Sequence, residues 1–194
     1  SCFGTINSKF ELPQLEQYFK FLPLFTNIDT YEVKLNNMFD SIKQKLKQIN
    51  LNDSTRYRKA GVLILLIKDI EEDEYKILFT KRSTKLKSHA GEVSFPGGKW
   101  EENDIDLYQT ALRESMEEIN LDIKNVGKLG ALNFLLSRHK IEVNPFVGYL
   151  KELQSFEGNY EIDEIFTVPI SFLVDESNIQ YKEFKRNDLK VYIP

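Results

Sequence analysis

The sequence predicts a domain of the α/β class. Residues 62–67 form an uninterrupted apolar run whose length suits a buried strand. A second strand-like segment follows after a short acidic turn, which is typical of a hairpin. Further along the chain, residues 105–119 show the apolar periodicity of an amphipathic helix. Strands and helices therefore share one chain of 194 residues, which is long enough to bury a full core without disulfides.

We expect the first 55 residues to form a helical extension and residues 56–194 to form the main domain. Residues 15–21 lie between two prolines and predict a short helix. In residues 31–50, apolar side chains recur at spacings of three and four, which predicts a second helix. These side chains are Leu35, Phe39, Ile42, Leu46 and Ile49. Residues 50–53, Asn-Leu-Asn-Asp, end that helix and begin a linker.

The first half of the main domain is predicted to be a hairpin followed by a long loop. Residues 60–68 and 75–81 are the two strands, and the acidic residues 69–74 form the turn between them. Residues 82–103 contain Gly91, Pro96, Gly97 and Gly98, and they are predicted to be a loop. A loop of this length inside a compact domain commonly carries function.

The second half begins with the helix at residues 105–119. Two strands follow, at residues 126–136 and 141–150, with residues 137–140 between them. Residues 152–164 are predicted to form an acidic loop, and residues 165–168 a short strand that Pro169 ends. A helical turn at 170–174 and a hairpin within 180–193 complete the expected elements.

Composition excludes several classes of protein. The formal net charge is −4, and a general nucleic-acid binder usually carries a basic surface, so we expect no nucleic-acid partner. One cysteine and two histidines cannot supply a Cys/His zinc pattern. No apolar run reaches about 18 residues, so no membrane span is expected.

The single cysteine, Cys2, fits a reducing compartment, and we expect an intracellular protein. The sequence leaves cytosol, peroxisome and mitochondrion open. The chain does not start with methionine, which suggests that residues are missing upstream.

Three glutamates of the helix at 105–119 are candidates for binding a metal ion. On a helical wheel, Glu114, Glu117 and Glu118 lie together, opposite the apolar side chains. Like charges at this spacing repel each other, and the carboxyl end of a helix disfavours anions. The cluster is therefore either a solvated acidic surface or a site for a hard cation such as Mg²⁺ or Mn²⁺. The glycine-rich turn before the helix favours the cation site, because backbone groups there can approach a metal or phosphate closely.

Residues 98–121 resemble the Nudix box, G-x5-E-x7-R-E-U-x-E-E-x-G-U, where U is aliphatic. The matching span starts at Gly98 and ends Arg113-Glu-Ser-Met-Glu-Glu-Ile-Asn-Leu121. It is one residue longer than the box between Gly98 and Arg113, and Asp104 stands in the place of the first glutamate. Ser115 occupies an aliphatic position, and Asn120 replaces the box glycine. Asparagine tolerates the left-handed conformation that ends a helix better than other non-glycine residues do.

The preceding segment resembles the coenzyme A signature of the same family, L-L-T-x-R-S-x3-R-x3-G-x3-F-P-G-G. The chain carries Leu78-Phe-Thr-Lys-Arg-Ser83, then Lys87, Gly91 and Phe95-Pro-Gly-Gly98. Lys87 stands where the signature has arginine, and Phe79 where it has the second leucine. The extra residue in the box is also characteristic of this subgroup. By these motifs the chain is identified as similar to the coenzyme A diphosphatases.

The resemblance implies the Nudix fold, an α/β/α sandwich with a mixed sheet, in which the box is a loop–helix–loop. It also implies hydrolysis of coenzyme A or its thioesters to 3′,5′-ADP and 4′-phosphopantetheine, with Mg²⁺ or Mn²⁺ as cofactor. The expected partner is this small-molecule nucleotide, and a homodimer is left open. Only 25 residues follow Pro169, so we expect either a truncated carboxyl end or a different last element.

The resemblance also suggests roles for individual residues. The expected metal ligands are Glu114, Glu117, Glu118 and the carbonyl of Gly98. Arg113 is expected to orient a carboxylate, and the general base is either Glu161 or Glu117. The expected substrate-binding residues are Arg82, Lys85, Lys87, His89, Gly97 and Gly98, of which the first three are candidates for the 3′-phosphate.

Each role has a structural alternative. Arg113 could form a simple surface ion pair, and Glu161 could be a loop charge. The basic loop could be merely solvated, and His89 could be a structural hydrogen-bonding group. Trp100 belongs either to the core or to an adenine-stacking surface.

Two rival functions also remain open. The first is hydrolysis of another nucleoside diphosphate derivative such as ADP-ribose. The second is a Nudix binding module without turnover, although such modules typically lack the metal carboxylates that this chain has.

Overall fold

The computed structural model describes residues 33–178, 182–186 and 189–193 of the chain. The helix predicted at residues 15–21 lies outside these ranges. The helices of the described residues are α1 (Val33–Lys47), α2 (Leu107–Ile119), α3 (Ile170–Val174) and two 3₁₀ turns, Ile123–Asn125 and Glu176–Asn178.

The strands of the described residues are β1 (Arg58–Asp69), β2 (Glu74–Arg82), β3 (Val93–Ser94), β4 (Gly97–Lys99), β5 (Val126–Ala131), β6 (Leu135–Leu136), β7 (Ile141–Leu150), β8 (Ile162–Pro169), β9 (Lys182–Arg186) and β10 (Leu189–Ile193). The predicted hairpin of the first two strands is confirmed, as are the strand at 141–150 and the helical turn at 170–174. The last two strands form a separate antiparallel pair, which confirms the hairpin predicted within 180–193.

The main sheet is mixed and is centred on β1. Strand β7 runs parallel to one edge of β1 over nine residue pairs. The other edge pairs antiparallel with β4 at residues 60–62 and with β2 at residues 66–69. Strands β3 and β8 pair with β2, and β5 and β6 pair with β7. The predicted mixed sheet is therefore confirmed.

Both faces of the sheet are covered, because the side chains of β1 alternate between two hydrophobic clusters. Leu63 and Leu65 are fully buried on the face that packs against α2. Ile64 and Leu66 belong to the opposite cluster, which contains buried residues of α1 and α3. Burying each such side chain contributes about 1.5–3 kcal/mol, so a strand buried on both faces anchors the layers. The α/β/α sandwich follows from this alternation.

Helix α1 packs directly on the sheet. Ile42 and Leu46 of the predicted apolar set are buried, Phe39 and Ile49 are partly buried, and Met38, outside that set, is also buried. A Cβ atom on Gly130 of β5 would lie 2.8 Å from the Cβ of Leu46, so this glycine lets the helix approach closely. The boundary between an extension and a domain at residue 55 stays a prediction, but α1 on its amino-terminal side contributes to the core.

Helix α2 ends as predicted, but its buried surface is wider than predicted. Asp106 caps its first turn by accepting a hydrogen bond from Gln109 N at 2.7 Å. Asn120 ends the helix in the left-handed conformation (φ 55°), as expected for a replacement of the box glycine. However, Glu118 on the predicted polar side is buried, and Met116 on the predicted apolar side is 45% exposed. Ser115 and Ile119 of the predicted apolar side are fully buried, so the wheel interpretation is confirmed for that side, but the buried surface extends further round the helix than predicted and includes Glu118.

A close backbone approach explains this orientation. A Cβ atom on Gly61 of β1 would lie 2.2 Å from the carbonyl oxygen of Leu107, so the helix backbone rests on the strand. Only small side chains fit such an approach, and Ala111 and Ser115 are fully buried there. The Ser115 hydroxyl donates to the Ala111 carbonyl at 2.6 Å, which satisfies a polar group at a position where the box has an aliphatic residue.

Several boundaries differ from the expected ones. The segment 82–103 contains the short strands β3 and β4, which are added to the sheet by pairing with β2 and β1. Strand β8 begins at Ile162 rather than at 165, because it pairs along the whole of residues 76–82. The predicted strand at 126–136 is divided into β5 and β6. Within the described ranges, no helix is long and apolar enough to cross a membrane.

Candidate active site

The turn at Gly97 and Gly98 is held in the sheet beside α2. Gly97 has a φ of 145°, and a Cβ atom there would lie 2.3 Å from the Gly61 carbonyl oxygen. Only glycine accommodates both the conformation and the contact. The turn is therefore a fixed feature, and its backbone faces the carboxylates of the helix.

Glu118 is bound by this turn. The Gly97 N–H donates to Glu118 Oε2 at 3.0 Å, and the residue is only 6% exposed. Burial raises the pKa of Glu118 to about 7, although the Gly97 N–H and the Arg82 guanidinium act in the opposite direction. A nearby positive charge would therefore strongly stabilise the ionised form of this carboxylate.

Glu114 lies one turn earlier, against Gly98. A Cβ atom on Gly98 would lie 2.4 Å from the Glu114 carboxyl carbon, so the absent side chain provides the space that this carboxylate fills. Burial raises the pKa of Glu114, and neighbouring Arg113 partly offsets that rise. Glu114 and Glu118 therefore place two poorly solvated carboxylates along the glycine turn.

Arg113 connects the loop before α2 with the acidic residues of the helix. Its guanidinium makes two contacts to the buried Asp104, with Nε–Oδ1 at 2.9 Å and Nη2–Oδ2 at 3.0 Å. Its Nη1 lies 3.2 Å from Glu114 Oε1 and 3.4 Å from Glu117 Oε1. The Arg113 hydrogen bond holds the pKa of Asp104 well below its usual range. Arg113 thus joins the loop carboxylate to two glutamates of the helix, and its orienting role stays a prediction.

Glu117 is the most exposed of the three helix glutamates. Half of its side-chain surface is exposed, and its carboxylate forms an ion pair with Arg113. Glu117 shares the Arg113 Nη1 atom with Glu114. Its assignments as a metal ligand and as a base are not tested by this arrangement.

Glu161 reaches the site from the loop before β8. Asn159 in this loop bonds to the end of α2, with its N–H 3.0 Å from the Glu118 carbonyl and its amide 3.0 Å from the Glu117 carbonyl. Glu161 Oε2 accepts from Arg82 Nη2 at 2.8 Å, and Oε1 accepts from the Tyr160 hydroxyl at 3.0 Å. The predicted outside carboxylate is thus brought next to the helix carboxylates.

The predicted substrate-binding residues are divided between two places. Lys85, Lys87 and His89 are exposed on the loop after β2. His89 Nδ1 lies 2.5 Å from Glu92 Oε2, and its ring meets the edge of His139 at 5.4 Å. Arg82, in contrast, lies among the carboxylates, where it contacts Glu118 and Glu161.

Sequence analysis did not single out Tyr160, Asn159 or His139. No motif marks them, because their contacts depend on how distant loops meet. Trp100 is 44% exposed, so it does not belong to the core.

The donor set of the site suits a hard divalent cation. Carboxylates and a carbonyl oxygen are the ligands that Mg²⁺ and Mn²⁺ prefer, and two of the carboxylates here are largely withdrawn from water. Among the described residues, no three acidic, histidine or cysteine side chains already converge as a metal cage. Arg82 and Gly97 contact Glu118, while Arg113 contacts Glu114 and Glu117.

Comparisons with known proteins agree with this arrangement. Residues 57–184 match the NUDIX domain. The mitochondrial Nudix hydrolase 15 of Arabidopsis thaliana is 37% identical over 134 residues, which is 68% of this chain and 47% of that protein. The mitochondrial coenzyme A diphosphatase NUDT8 of Mus musculus is 34% identical over 149 residues, covering 73% of this chain and 70% of that protein.

Solved structures show the same fold. A Nudix hydrolase from M. smegmatis, RenU, matches with a TM-score of 0.50 at 15% identity, covering 58% of this chain and 71% of that one. At this identity the likeness shows the fold alone. The chain spans about half the length of the plant relative described above.

Proposed function

The chain belongs to the Nudix hydrolase family, and from this premise we propose that it hydrolyses the diphosphate bond of coenzyme A or its thioesters. The products would be 3′,5′-ADP and 4′-phosphopantetheine or its acyl form. The observation that carries the proposal is the packing of Glu114 and Glu118 against the Gly97–Gly98 turn. Two poorly solvated carboxylates beside the backbone of a glycine turn support a site for a cation and a diphosphate.

Three observations support coenzyme A as the substrate. Residues 78–98 resemble the signature of the coenzyme A diphosphatases, including the Phe95-Pro-Gly-Gly98 turn that contacts Glu114 and Glu118. The mouse relative carries this activity in its name. Lys85 and Lys87 lie exposed on the loop that the signature spans, where they are accessible to an anionic group.

We assign the metal-binding role to Glu114 and Glu118 first, with Glu117 and the Gly98 carbonyl as further ligands. Bound Mg²⁺ or Mn²⁺ would supply the positive charge that neutralises the diphosphate oxygens. Arg113 holds Glu114 in position through its own bond to Asp104. Glu161 is our candidate to accept the proton of the attacking water, because it lies beside the helix carboxylates on a separate element.

The alternative within the same family is a different nucleoside diphosphate derivative such as ADP-ribose. The carboxylates would serve that reaction equally well, since the chemistry at the diphosphate is the same. The two substrates differ in the 3′-phosphate and the pantetheine. The loop after β2, which carries Lys85 and Lys87, is therefore where the protein would distinguish them. A homodimer and the cellular compartment also stay predictions.

A panel of substrates tests the proposal. Coenzyme A, acetyl-coenzyme A and ADP-ribose would be compared by kcat/KM with Mg²⁺, with Mn²⁺ and in excess chelator. We expect the coenzyme A compounds to be preferred and chelator to abolish turnover. Glu71→Gln, an exposed glutamate in the β1–β2 turn, is the matched control for Glu118→Gln. A preference for ADP-ribose would favour the alternative, and full activity in chelator would contradict the metal-binding role.

A further inference from the structure

Arg82 occupies an unusual position for a residue of a substrate-binding loop. It is the last residue of β2, immediately after a register shift between Lys81 and Arg82 in the pairing with β8. The shift is typical of a bulge, which re-aims a side chain at the end of a strand. The Arg82 side chain is only 24% exposed, and it points into the carboxylate cluster.

The contacts of the Arg82 guanidinium are unequal. Nη2 lies 2.8 Å from Glu161 Oε2, whereas Nη1 lies 3.5 Å from Glu118 Oε1. The Nε atom is buried without a hydrogen-bond partner among the described residues. A buried donor without a partner is unfavourable. The contacts with the two carboxylates offset that cost and hold the side chain in place.

The two carboxylates come from different elements and would repel each other without a cation. Glu118 belongs to α2 and Glu161 to the loop before β8, and both carboxylates contact the same guanidinium. Of the ion pairs formed by described residues, those of Arg82 are the ones that join these two elements. Arg82 therefore neutralises both carboxylates and connects the helix to the loop.

We propose that Arg82 is a positioning residue that holds Glu161 beside Glu118 and competes with the divalent cation for Glu118. The inference rests on the proposed function, because it assumes that the cation binds Glu118. The longer contact to Glu118 is the one that yields to the cation, whereas the shorter contact keeps Glu161 in place. Arg82 thus serves the site through carboxylates rather than by binding the 3′-phosphate.

Removing the positive charge of Arg82 should raise the affinity for the metal ion and lower turnover. In Arg82→Met, Glu118 loses its competing cation, so we expect Mn²⁺ to bind about tenfold more tightly. Glu161 is no longer held, so kcat for coenzyme A should fall by about tenfold or more. A purely structural defect would weaken both properties. Titration of Mn²⁺, followed by its paramagnetic resonance signal, measures the affinity directly without substrate.

A second experiment tests the positioning role of Arg82 in the absence of metal. Melting temperatures in chelator would be compared for wild type, Arg82→Met, Glu161→Gln and the double variant. If Arg82 acts by neutralising Glu161, its removal should lower the melting temperature at least twice as much in the wild type as in Glu161→Gln. Arg82→Lys should restore part of the melting temperature, since it keeps the charge but not the two-pronged geometry. Equal losses in both backgrounds would overturn the positioning role.

The control is Arg138→Met, which removes an exposed arginine from the turn between β6 and β7. It should leave Mn²⁺ affinity within twofold of the wild type and kcat unchanged. Unchanged or weaker Mn²⁺ binding in Arg82→Met would overturn the competition. If Mn²⁺ binding tightens but coenzyme A is not hydrolysed, the inference stands and the proposed substrate fails. If the wild type binds no Mn²⁺, the metal-dependent function and the competition both fail, and the experiment in chelator decides the positioning role.

Discussion

Asp104 and Arg113 form a two-contact ion pair between the loop before α2 and the middle of the helix, at 2.9 and 3.0 Å. Asp104 is buried and also accepts from the Thr110 hydroxyl at 2.8 Å. Arg113 is thereby fixed with its remaining nitrogen toward Glu114 and Glu117. An aspartate in the place of the first box glutamate therefore still anchors the arginine of the box.

Asp104→Asn should destabilise the protein, because it leaves Arg113 without its principal counter-charge. We expect the free energy of unfolding to fall by about 2–4 kcal/mol, because the variant breaks a largely buried ion pair. Urea unfolding at pH 7 measures this loss. The folded-state pKa of Asp104 lies below its unfolded value of about 4, so this contribution is complete well above pH 4, decreases progressively as the pH falls below the unfolded value, and is lost once the pH has fallen through the folded-state pKa. The difference between wild type and variant should therefore shrink at pH 3. An equal difference at pH 7 and pH 3 would contradict this account, and Asp53→Asn, at an exposed position, is the control.

Gly98→Ala should impair metal binding, whereas Gly97→Ala should impair folding. A methyl group on Gly98 meets the Glu114 carboxylate, a flexible group that can move, so we expect Mn²⁺ affinity and turnover to fall with little loss of melting temperature. A methyl group on Gly97 meets the backbone of Gly61 and Val62 at a φ of 145°, so folding itself should suffer. Melting curves and Mn²⁺ titrations on both variants separate the two effects. A large stability loss in Gly98→Ala would show that Glu114 cannot move aside.

Glu118→Gln should lose most of the turnover yet gain stability in the absence of metal. Folding raises the pKa of Glu118 to about 7, so the charged form is penalised in the folded state. That penalty grows as the pH rises from about 4.5 to 7 and is constant above, and its removal is worth about 1–3 kcal/mol at pH 8. In chelator, the variant should melt higher than the wild type at pH 8 and equally at pH 4. A lower melting temperature at pH 8 would indicate a structural role, and near-normal turnover would refute the metal-binding role.

Much of the fold could be predicted from the sequence, because it is encoded in local patterns. The apolar run of β1, the acidic turn after it and the periodicity of α1 each depend on near neighbours in the chain. The burial of Glu118 could not be predicted in this way. A helical wheel weighs apolar side chains, whereas α2 is oriented by the contact of its backbone with Gly61, which no periodicity records.

The kind of site, a cation site, could be predicted from the sequence, but the contacts between its residues could not. The spacing of Glu114 and Glu118 after a glycine turn marks a candidate cation site from sequence alone. The contact of Arg82 with Glu161 joins residues 79 positions apart and depends on the pairing of β2 with β8. Sequence analysis therefore placed Arg82 in a basic loop, and only the folded chain places it between carboxylates.

Recognition of the 3′-phosphate is expected to depend on the exposed loop after β2. If Lys87 binds this group, 3′-dephospho-coenzyme A should be the poorer substrate. A charge-assisted hydrogen bond contributes roughly 1.5–3 kcal/mol, which means about a ten- to hundredfold lower kcat/KM. Lys87→Ala should erase the preference, and Lys47→Ala on α1 should not. Equal kcat/KM for both substrates on the wild type would show that the loop does not bind the phosphate.

Identification of the products tests the central claim most directly. The wild-type protein would be incubated with coenzyme A and Mn²⁺, and the products would be separated and identified by mass spectrometry. We predict 3′,5′-ADP and 4′-phosphopantetheine in equal amounts, formed only when the cation is present. Intact coenzyme A under conditions where ADP-ribose is cleaved, or the same products in excess chelator, would contradict the account.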